Sequence, residues 1–530
     1  MKKQHITLIW LCCLPILLTA QGPSYSPDQI AELKAEVRQR VQERAKMAQV
    51  MVDKVFSFSE LGFHEIETSK YLTDILKDNG FEVEHGISGV PTAWWATWGS
   101  GQPVIALGSD LDCIPKASQK PGVAYHDPIV KGAPGHGEGH NSGTPLNIVA
   151  ALAVKEIMER ENIPGTLVLW PGVAEELVGT KAYFTRDGYF DEVDLCIFTH
   201  VSSNMSVSWG QARGTGLISV EYTFEGEAAH AAGAPWRGRS AADAVELMNI
   251  GWQYAREHLH PLHRSHSVIK NGGDQPNVVP SEASIWYYFR DVTYPRIMDI
   301  YQKANRVAEG AAMMTDTKMT RRILGSAWPR HFNKVIAETM YQNIREVGLP
   351  EWSEADQVLA KAIQKEVQSP RDTSGMPTKL DTIRMPIRSF VSGGSDDIGD
   401  ISWKLPTVTL RYPANIPGLP GHHWANAVAM ATPIAHKGVV AGAQVEAMTL
   451  LDFLLEPQLV DQAWDYFRNE QGMKQEYIPM VGEEDEPAIY LNTEIMQEFR
   501  PKLEPYYYDE QTYDSYLEQL GISYPTVRQK

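Results

Sequence analysis

The chain has few cysteines and no excess of positive charge, and both facts exclude classes of protein. Four of its 530 residues are cysteine, and two of these, Cys12 and Cys13, lie in an apolar N-terminal segment. Cys113 and Cys196 cannot form a disulfide framework by themselves. Each lies in an apolar run, which predicts buried thiols. The net charge of −18 argues against nucleic acid or an anionic membrane surface as a partner.

Three familiar catalytic motifs are also missing. The chain contains neither the His-Glu-x-x-His helix of the zincins nor the Gly-x-Ser-x-Gly turn of the serine hydrolases. Its glycine-rich loop at 135–141 lacks the Gly-Lys-Ser/Thr ending of a phosphate-binding loop. The chemistry must therefore be sought in separate carboxylates and histidines.

The N-terminus has the pattern of a secretory signal. Lysines follow Met1, residues 6–18 are almost wholly apolar, and small residues follow around Ala20. The run is too short for a spanning helix, so we predict a signal peptide over residues 1–20 and a periplasmic or secreted mature protein. A lipid anchor at Cys12 or Cys13 is a minor alternative. No later segment is expected to be long and apolar enough to span a membrane, so no membrane partner is expected after cleavage.

Continuous apolar runs alternate with helical patterns in the first half of the chain. Strands are predicted at Val104–Leu107, Gly165–Trp170 and Leu195–Thr199, and helices at Pro145–Glu161 and Thr180–Arg186. Strands that are apolar on both faces and separated by helices indicate an α/β fold with a mostly parallel, doubly wound sheet. Such sheets bind ligands at the carboxyl ends of their strands.

The pattern changes near Gly214. Residues 217–224 alternate like a half-buried strand, and a helix at 240–258, two strands and a helix at 296–313 follow. This order predicts an inserted α+β (ferredoxin-like) domain. The expected division is a catalytic domain at 26–212 and 326–455, an inserted lid or dimerisation domain at 213–325, and a helical C-terminal extension at 456–530.

Three groups of the metal-binding type lie in the glycine-rich loop. Glycines alternate with polar residues at 135–140 and let neighbouring side chains converge on one point. Glu138 and His140 are candidate metal ligands, and His136 is either a third ligand or a donor to one. A solvent-exposed polar loop is the alternative interpretation.

An adjacent carboxylate pair, Glu175-Glu176, follows the apolar strand that ends at Trp170. Two neighbouring carboxylates repel each other unless a cation neutralises one of them. We therefore predict Glu176 as a metal ligand and Glu175 as the base that takes a proton from water. His200 ends the next strand and is predicted as a further ligand. With the loop, these residues form the donor set of a two-metal hydrolytic site.

Two further motifs complete the candidate site. Asp110 and Asp112 follow the strand at 104–107 and, being two residues apart, point to the same side. One can ligate a metal while the other braces a metal-bound side chain. A late loop carries His422 and His423, of which only one is expected to coordinate because neighbouring side chains diverge.

The order of these motifs resembles the co-catalytic metallopeptidase family, which contains aminoacylases and carboxypeptidases. Within it, the chain is similar to the amidohydrolase branch of the indole-acetyl-amino-acid hydrolases and the p-aminobenzoyl-glutamate hydrolases. The stretches that carry the resemblance are Asp110-Leu111-Asp112, Gly139-His140-Asn141, Glu175-Glu176, Thr199-His200, Ser59–Phe63, Gly226–Pro235, Gly238–Ala241, Asn277–Pro280, Ser395–Trp403 and Ile434–Gly438.

The resemblance implies a role for each candidate. Glu175 would be the general base and Asp112 a bracing residue. Two divalent ions, Zn²⁺ or Mn²⁺, would be held by Glu138, His140, Glu176, His200 and His422. On the inserted domain, His230 and Asn277 would reach the substrate carboxylate or the oxyanion across a homodimer interface. Arg290 is a further candidate for binding the substrate carboxylate.

The chain departs from the family pattern at two positions. The branch typically has Cys-Gly-His where this chain has Glu138-Gly139-His140. A hard carboxylate in place of a soft thiolate would favour Mn²⁺ or an oxygen-tolerant Zn²⁺ site. The stretch after Asp110 also lacks the histidine that many members use as a ligand, so Asp110 either substitutes for it or stays outside the ligand set.

These inferences predict a secreted, metal-dependent amidohydrolase that cleaves the amide bond of N-acyl or N-aroyl amino acids or short peptides. One alternative is a dipeptidase or carboxypeptidase with the same two-metal site. A second alternative, from a different class, is a non-catalytic metal- or peptide-binding relative. The intact Glu175-Glu176 pair disfavours that class, because a pure binder needs no free base.

Overall fold

The computed structural model describes residues 25–369, 374–386, 393–472 and 475–528. The signal predicted at residues 1–20 lies outside these ranges. The helices are α1 (Pro27–Glu43), α2 (Ala45–Phe58), α3 (Ile66–Asp78), α4 (Gly143–Glu161), α5 (Lys181–Arg186), α6 (Ala241–Arg256), α7 (Tyr294–Thr315), α8 (Lys334–Val347), α9 (Glu354–Glu366), α10 (Ile398–Lys404), α11 (Trp424–Ala427), α12 (Pro433–Leu455), α13 (Pro457–Tyr466), α14 (Thr493–Leu503) and α15 (Tyr516–Gln519). The strands are β1 (Glu82–His85), β2 (Trp94–Ser100), β3 (Val104–Asp110), β4 (Gly165–Gly172), β5 (Leu195–Ser202), β6 (Gly210–Gln211), β7 (Gly216–Glu225), β8 (Arg264–Asn271), β9 (Glu282–Asp291), β10 (Lys318–Ala327), β11 (His331–Phe332) and β12 (Thr407–Pro413).

The catalytic domain is built on a six-stranded sheet with the order β1-β2-β4-β3-β5-β12. Strands β4, β3, β5 and β12 are parallel to one another, whereas β2 joins β4 antiparallel and continues into β1. The prediction of a mostly parallel sheet is confirmed. Because the four parallel strands share a direction, their carboxyl ends meet at one edge of the sheet.

Both faces of this sheet are covered, which explains the continuous apolar runs. Along β3, Ile105 and Leu107 are fully buried and belong to the core beneath α1, α4 and α12. Ala106 points to the other face and belongs to a separate core with Phe184 of α5 and Ile401 of α10. A strand buried on both sides needs apolar residues at every position, since burying each large side chain contributes about 1.5–3 kcal/mol.

The long apolar helix α12 lies in the core of the catalytic domain. By length and composition α12 could cross a membrane, with a mean hydropathy of 1.4, so the expectation that no later segment is long and apolar enough is wrong. However, 94% of that window is buried inside the protein. α12 packs against α1, α4, α8 and β12, and this burial accounts for its apolar composition.

The inserted domain is an antiparallel four-stranded sheet with the order β10-β7-β9-β8, covered by α6 and α7. The predicted α+β lid is confirmed, although β10 was not predicted as one of its strands. Two short strands, β6 and β11, pair where the chain leaves and re-enters the catalytic domain, and they form the hinge between the two domains. β8 is an edge strand of the lid, with Val268 and Ile269 about half exposed.

The C-terminal extension packs back onto the catalytic domain. Arg500 of α14 forms an ion pair with Glu60, whose side chain is buried. Tyr508 and Tyr516 are buried in the same core as α1 and α12. The extension is therefore part of the catalytic domain's packing rather than a separate unit.

Candidate metal centre

The candidate site lies where three parallel strands of the catalytic sheet end. β3 ends at Asp110, and His200 lies near the end of β5. β4 leads through a tight turn to Glu175 and Glu176, and this turn places Ala174 at a positive φ of 53°. The strand-end placement expected from the sequence thus brings these side chains to one edge of the sheet.

Asp112 holds two parts of the site in position. Its carboxylate oxygens accept hydrogen bonds from the main-chain N–H of Glu175 at 3.2 Å and of Glu176 at 3.1 Å. The Nδ1 atom of His140 lies 3.1 Å from the main-chain oxygen of Asp112 and 3.5 Å from its carboxylate. Asp112 therefore occupies the place that a bracing residue would need.

Two overlapping groups of side chains could each hold a metal ion. Ligand atoms of Asp110, His140 and His200 lie within 4.8 Å of one another. Those of His140, Glu175 and Glu176 also lie within 4.8 Å of one another. Because His140 belongs to both groups, ions held by the two groups would be neighbours.

Unpartnered atoms in these groups fit divalent ions. Asp110 Oδ2, His140 Nε2 and Glu176 Oε1 are buried and have no hydrogen-bond partner in the described part of the chain. A buried polar atom left unpaired costs about 1–3 kcal/mol. Carboxylates and imidazoles are ligands of Zn²⁺ and Mn²⁺, and an ion bound by these atoms would satisfy all three.

Glu138 and His422 complete the donor set. His422 Nε2 lies 3.5 Å from carboxylate oxygens of both Glu138 and Glu176, and its main-chain N–H donates to Glu138 at 2.9 Å. The adjacent His423 instead accepts a hydrogen bond from Ala425 N–H at the start of α11. Of the tandem histidines, His422 is therefore the one that faces the site.

Burial makes the carboxylates of the site costly to ionise. It raises the pKa of Glu176 to about 8 and that of Asp110 to about 7. Burial, reinforced by Asp110, also raises the pKa of Glu175 well above its usual value. For His140, burial lowers the pKa, but the hydrogen bond to Asp112 and the nearby carboxylates outweigh it, so the pKa is raised. A divalent cation would relieve this crowding of negative charge.

A buried lysine lies beside the site, and the sequence analysis missed it. The side chain of Lys181 is fully buried, and its Nζ donates to Asp110 Oδ1 at 2.6 Å and also to Asp397. Asp110 thus uses one oxygen on Lys181 and leaves the other for the group with His140 and His200. The only sequence signal was a lysine at the start of an otherwise apolar helix, and such lysines are usually exposed.

Arg411 lies beside His200 on the neighbouring strand. The two residues are partners in the register of β5 and β12, and Arg411 Nη1 lies 2.6 Å from His200 Nδ1. Burial and the positive charge of Arg411 lower the pKa of His200 well below its usual value. His200 is therefore a neutral imidazole, which is the form that binds metals.

His136 belongs to the core rather than to the metal groups. It is buried against Phe56, and its Nε2 lies 3.2 Å from the main-chain oxygen of Val55. Burial lowers its pKa to about 3. Of the three groups in the glycine-rich loop, Glu138 and His140 face the site and His136 does not.

The predicted residues of the lid divide into two kinds. Arg290 is partly buried and donates to Ser395 Oγ at 3.0 Å, and the charge of Glu175 acts on its pKa. His230 and Asn277 are exposed on the lid. The His230 ring accepts N–H hydrogen bonds from residues 232 and 233 of its own loop. Within one chain, the structure thus brings Arg290 towards the site and leaves His230 and Asn277 facing solvent.

A cavity of about 210 Å³ opens on the site. Asp112, Glu176 and His422 line it, together with Gly62 and Asn492. Asn492 comes from the C-terminal extension and donates to the main-chain oxygen of Gly62 at 3.1 Å. The extension therefore forms part of the wall of the site, which its lack of sequence motifs gave no reason to expect.

Comparison with known proteins agrees with this geometry. The profile described as Peptidase dimerisation domain (M20_dimer) matches residues 214–309, which cover most of the lid. One of the two chains of the p-aminobenzoyl-glutamate hydrolase of Escherichia coli (strain K12) is 32% identical over 434 residues, or 78% of this chain and 90% of the relative. The chain belongs to the M20 peptidase family. Its relatives are hydrolases of amide bonds, and this M20 peptidase is an enzyme of that class.

Other matches to this M20 peptidase cover similar lengths. The Xaa-Arg dipeptidase of Mus musculus is 25% identical over 451 residues, covering 83% of the chain and 94% of the relative. The crystal structure of an aminobenzoyl-glutamate utilization protein from Klebsiella pneumoniae has a TM-score of 0.52 at 16% identity, covering 81% of this chain and 98% of that one. This structural likeness concerns the fold alone.

Proposed function

We propose that this M20 peptidase is a metal-dependent amidohydrolase that cleaves N-acyl or N-aroyl amino acids or short peptides. The observation that carries the proposal is the divided environment of the carboxylate pair. Glu176 lies 3.5 Å from His422, among the candidate ligands. Glu175 is close enough to the lid for its charge to act on Arg290. Glu175 thus lies between the candidate metal ligands and the lid, where a substrate amide would be bound.

Each residue has a task in this reaction. The ligand atoms would hold two divalent ions, which when bound acidify water and polarise the amide carbonyl. Glu175 would accept the proton of the attacking water and pass it to the leaving nitrogen, and its raised pKa suits a group that holds a proton between the two steps. Arg290 has a buried Nε with no partner among the described residues and could hold a substrate carboxylate.

A dipeptidase is the second candidate function. The mouse relative is named an Xaa-Arg dipeptidase, and it matches the chain over a longer stretch than the Escherichia coli relative, at lower identity. The same ligand set and the same base would serve either reaction, because both cleave an amide. The non-catalytic alternative is disfavoured because Glu175 and Glu176 are both present in the arrangement that hydrolysis needs.

The first test is metal-dependent turnover. Protein treated with a chelator should hydrolyse none of a panel of N-benzoyl amino acids, N-acetyl amino acids and dipeptides, and added Mn²⁺ or Zn²⁺ should restore activity on at least one of them. Chelation should also lower the melting temperature, because an ion that binds only the folded state stabilises it. Turnover would be followed by release of the free amino acid, and metal content by elemental analysis.

The result that would contradict this proposal is specific. Protein without tightly bound metal and without turnover after Mn²⁺ and Zn²⁺ addition would overturn the enzyme function and favour the non-catalytic alternative. Two bound metals without turnover would retain the hydrolytic centre and reject the panel's substrates.

We also propose that the enzyme is a homodimer in which each lid supplies His230 to the partner's site. The exposed, oriented ring of His230 supports this arrangement. His230→Ala and Glu175→Gln should each be inactive as homodimers. Mixed and re-equilibrated, they should recover about a quarter of wild-type activity, because half of the dimers are mixed and each mixed dimer has one intact site.

The control is a mixture of His230→Ala with the double variant His230→Ala/Glu175→Gln, which contains no intact site and should stay inactive. Failure of the first mixture to regain activity, when exchange of protomers is demonstrated by mass, would mean that His230 acts within its own chain.

A further inference from the structure

A second and larger cavity, of about 850 Å³, lies at the hinge between the two domains. Its walls include residues of both hinge strands, such as Gln211 of β6 and Phe332 of β11. Four arginines also line it, and they come from separate parts of the chain: Arg213, Arg330, Arg384 and Arg411. None of the described residues that line this arginine cavity is an aspartate or a glutamate.

The positive charge around the arginine cavity is only partly balanced. Asp396 lies 3.0 Å from Arg330 and 4.0 Å from Arg411. Asp381 lies 3.0 Å from Arg384 in an ion pair that is largely exposed. In the described part of the chain these two carboxylates are the ion-pair partners of the four guanidinium groups, which leaves an excess of two positive charges.

The mutual repulsion of these arginines is visible at Arg411. Its side chain is 27% exposed, and its pKa is lowered to about 10 by burial first and by the charges of Arg330 and Arg384 next. Like charges held together at a partly buried site are stabilised by a bound anion. Arginine presents paired donors that match a carboxylate.

The arginine cavity is next to the metal centre. Arg411 Nη1 is 2.6 Å from His200 Nδ1, so one side chain separates the cavity from a candidate ligand. Asp396, which accepts from Arg330, belongs to a group of carboxylates that includes Glu175. A substrate whose amide is at Glu175 could therefore extend one end into this cavity.

We infer that the arginine cavity binds the carboxylates of the amino acid half of the substrate and selects acidic amino acids. The inference rests on the proposed amidohydrolase function. An acidic amino acid carries an α-carboxylate and a side-chain carboxylate, so its two negative charges match the two unbalanced positive charges. A neutral amino acid supplies one carboxylate and leaves one guanidinium charge unbalanced.

The test compares N-benzoyl-L-glutamate with N-benzoyl-L-glutamine, which differ by one charge at nearly constant shape. The wild-type enzyme should prefer the glutamate compound at least tenfold in kcat/KM. Arg213→Gln and Arg384→Gln, neither of which contacts His200, should each lower kcat/KM for the glutamate compound about tenfold, mainly through KM. The glutamine compound should change less than twofold. Arg528→Gln removes an exposed arginine that pairs with Glu366 and is the matched control.

A probe that needs no turnover separates this inference from the proposed function. Glutarate should bind the wild-type protein in a calorimeter, compete with N-benzoyl-L-glutamate, and bind at least tenfold more weakly to Arg213→Gln. Equal use of both benzoyl compounds, equal losses on both in the variants, or glutarate inhibition that is not competitive would each overturn the inference while leaving the amidohydrolase standing. Absence of glutarate binding would overturn it even if no benzoyl compound is hydrolysed.

Discussion

Glu175→Gln is expected to lower kcat by about 10²–10⁴-fold, the contribution usually found for a positioned general base. Glutamine keeps the size of the side chain but cannot take a proton from water. The main-chain N–H of residue 175, which donates to Asp112 at 3.2 Å, is unaffected by the substitution. Metal content and melting temperature should therefore stay at wild-type values, which elemental analysis and thermal unfolding would check.

Glu176→Gln is the informative comparison for that variant. Glu176 faces His422 and Glu138, so removing its charge should lower the metal content as well as the activity. A Glu175→Gln enzyme that retains more than a tenth of wild-type kcat would rule out Glu175 as the base. A Glu175→Gln protein that has lost its metal would place Glu175 among the ligands instead.

Lys181→Met is expected to destabilise the fold by about 3–5 kcal/mol, the usual cost of removing one partner from a buried ion pair. Lys181 is fully buried and contacts both Asp110 and Asp397. Methionine fills most of the volume but leaves two buried carboxylates without a cation. Urea unfolding of the metal-free protein would measure the change without a contribution from bound ions.

Lys404→Met is the matched control, because Lys404 also contacts an aspartate but lies at the surface. Its partner Asp191 is 55% exposed, and such a pair contributes about 0–1 kcal/mol. A loss below about 1 kcal/mol in Lys181→Met would show that Asp110 and Asp397 hold protons in place of the lysine charge. Lys181→Arg should not restore full stability, because the buried site is shaped for an ammonium group.

The strands of the catalytic sheet were predictable because each is apolar at nearly every position. The same reasoning failed at β10, which carries Thr320, Arg321 and Arg322 in its first half and resembles a surface segment. Its place in the lid sheet comes from pairing with β7 over most of its length. It also failed for α12, whose composition allows a membrane helix and whose burial is decided by the helices around it.

The candidate site was predictable where its chemistry is local. Adjacent carboxylates at 175–176, histidines at strand ends and a glycine-rich loop are patterns within a few residues of sequence. The choice between His422 and His423, and the place of Asp110, needed the positions of distant side chains. Lys181 and Asp397 are 216 residues apart in the chain, and no local pattern connects them.

The sequence by itself therefore determined the fold class, the family and most of the candidate ligands, because apolar periodicity and short motifs carry that information locally. Only the tertiary structure decided which charges meet. It brought Lys181 beneath Asp110, Arg411 against His200, and four arginines around one cavity at the hinge. The physical reason is that the energy of a charge depends on its burial and its neighbours, and both are properties of the folded chain.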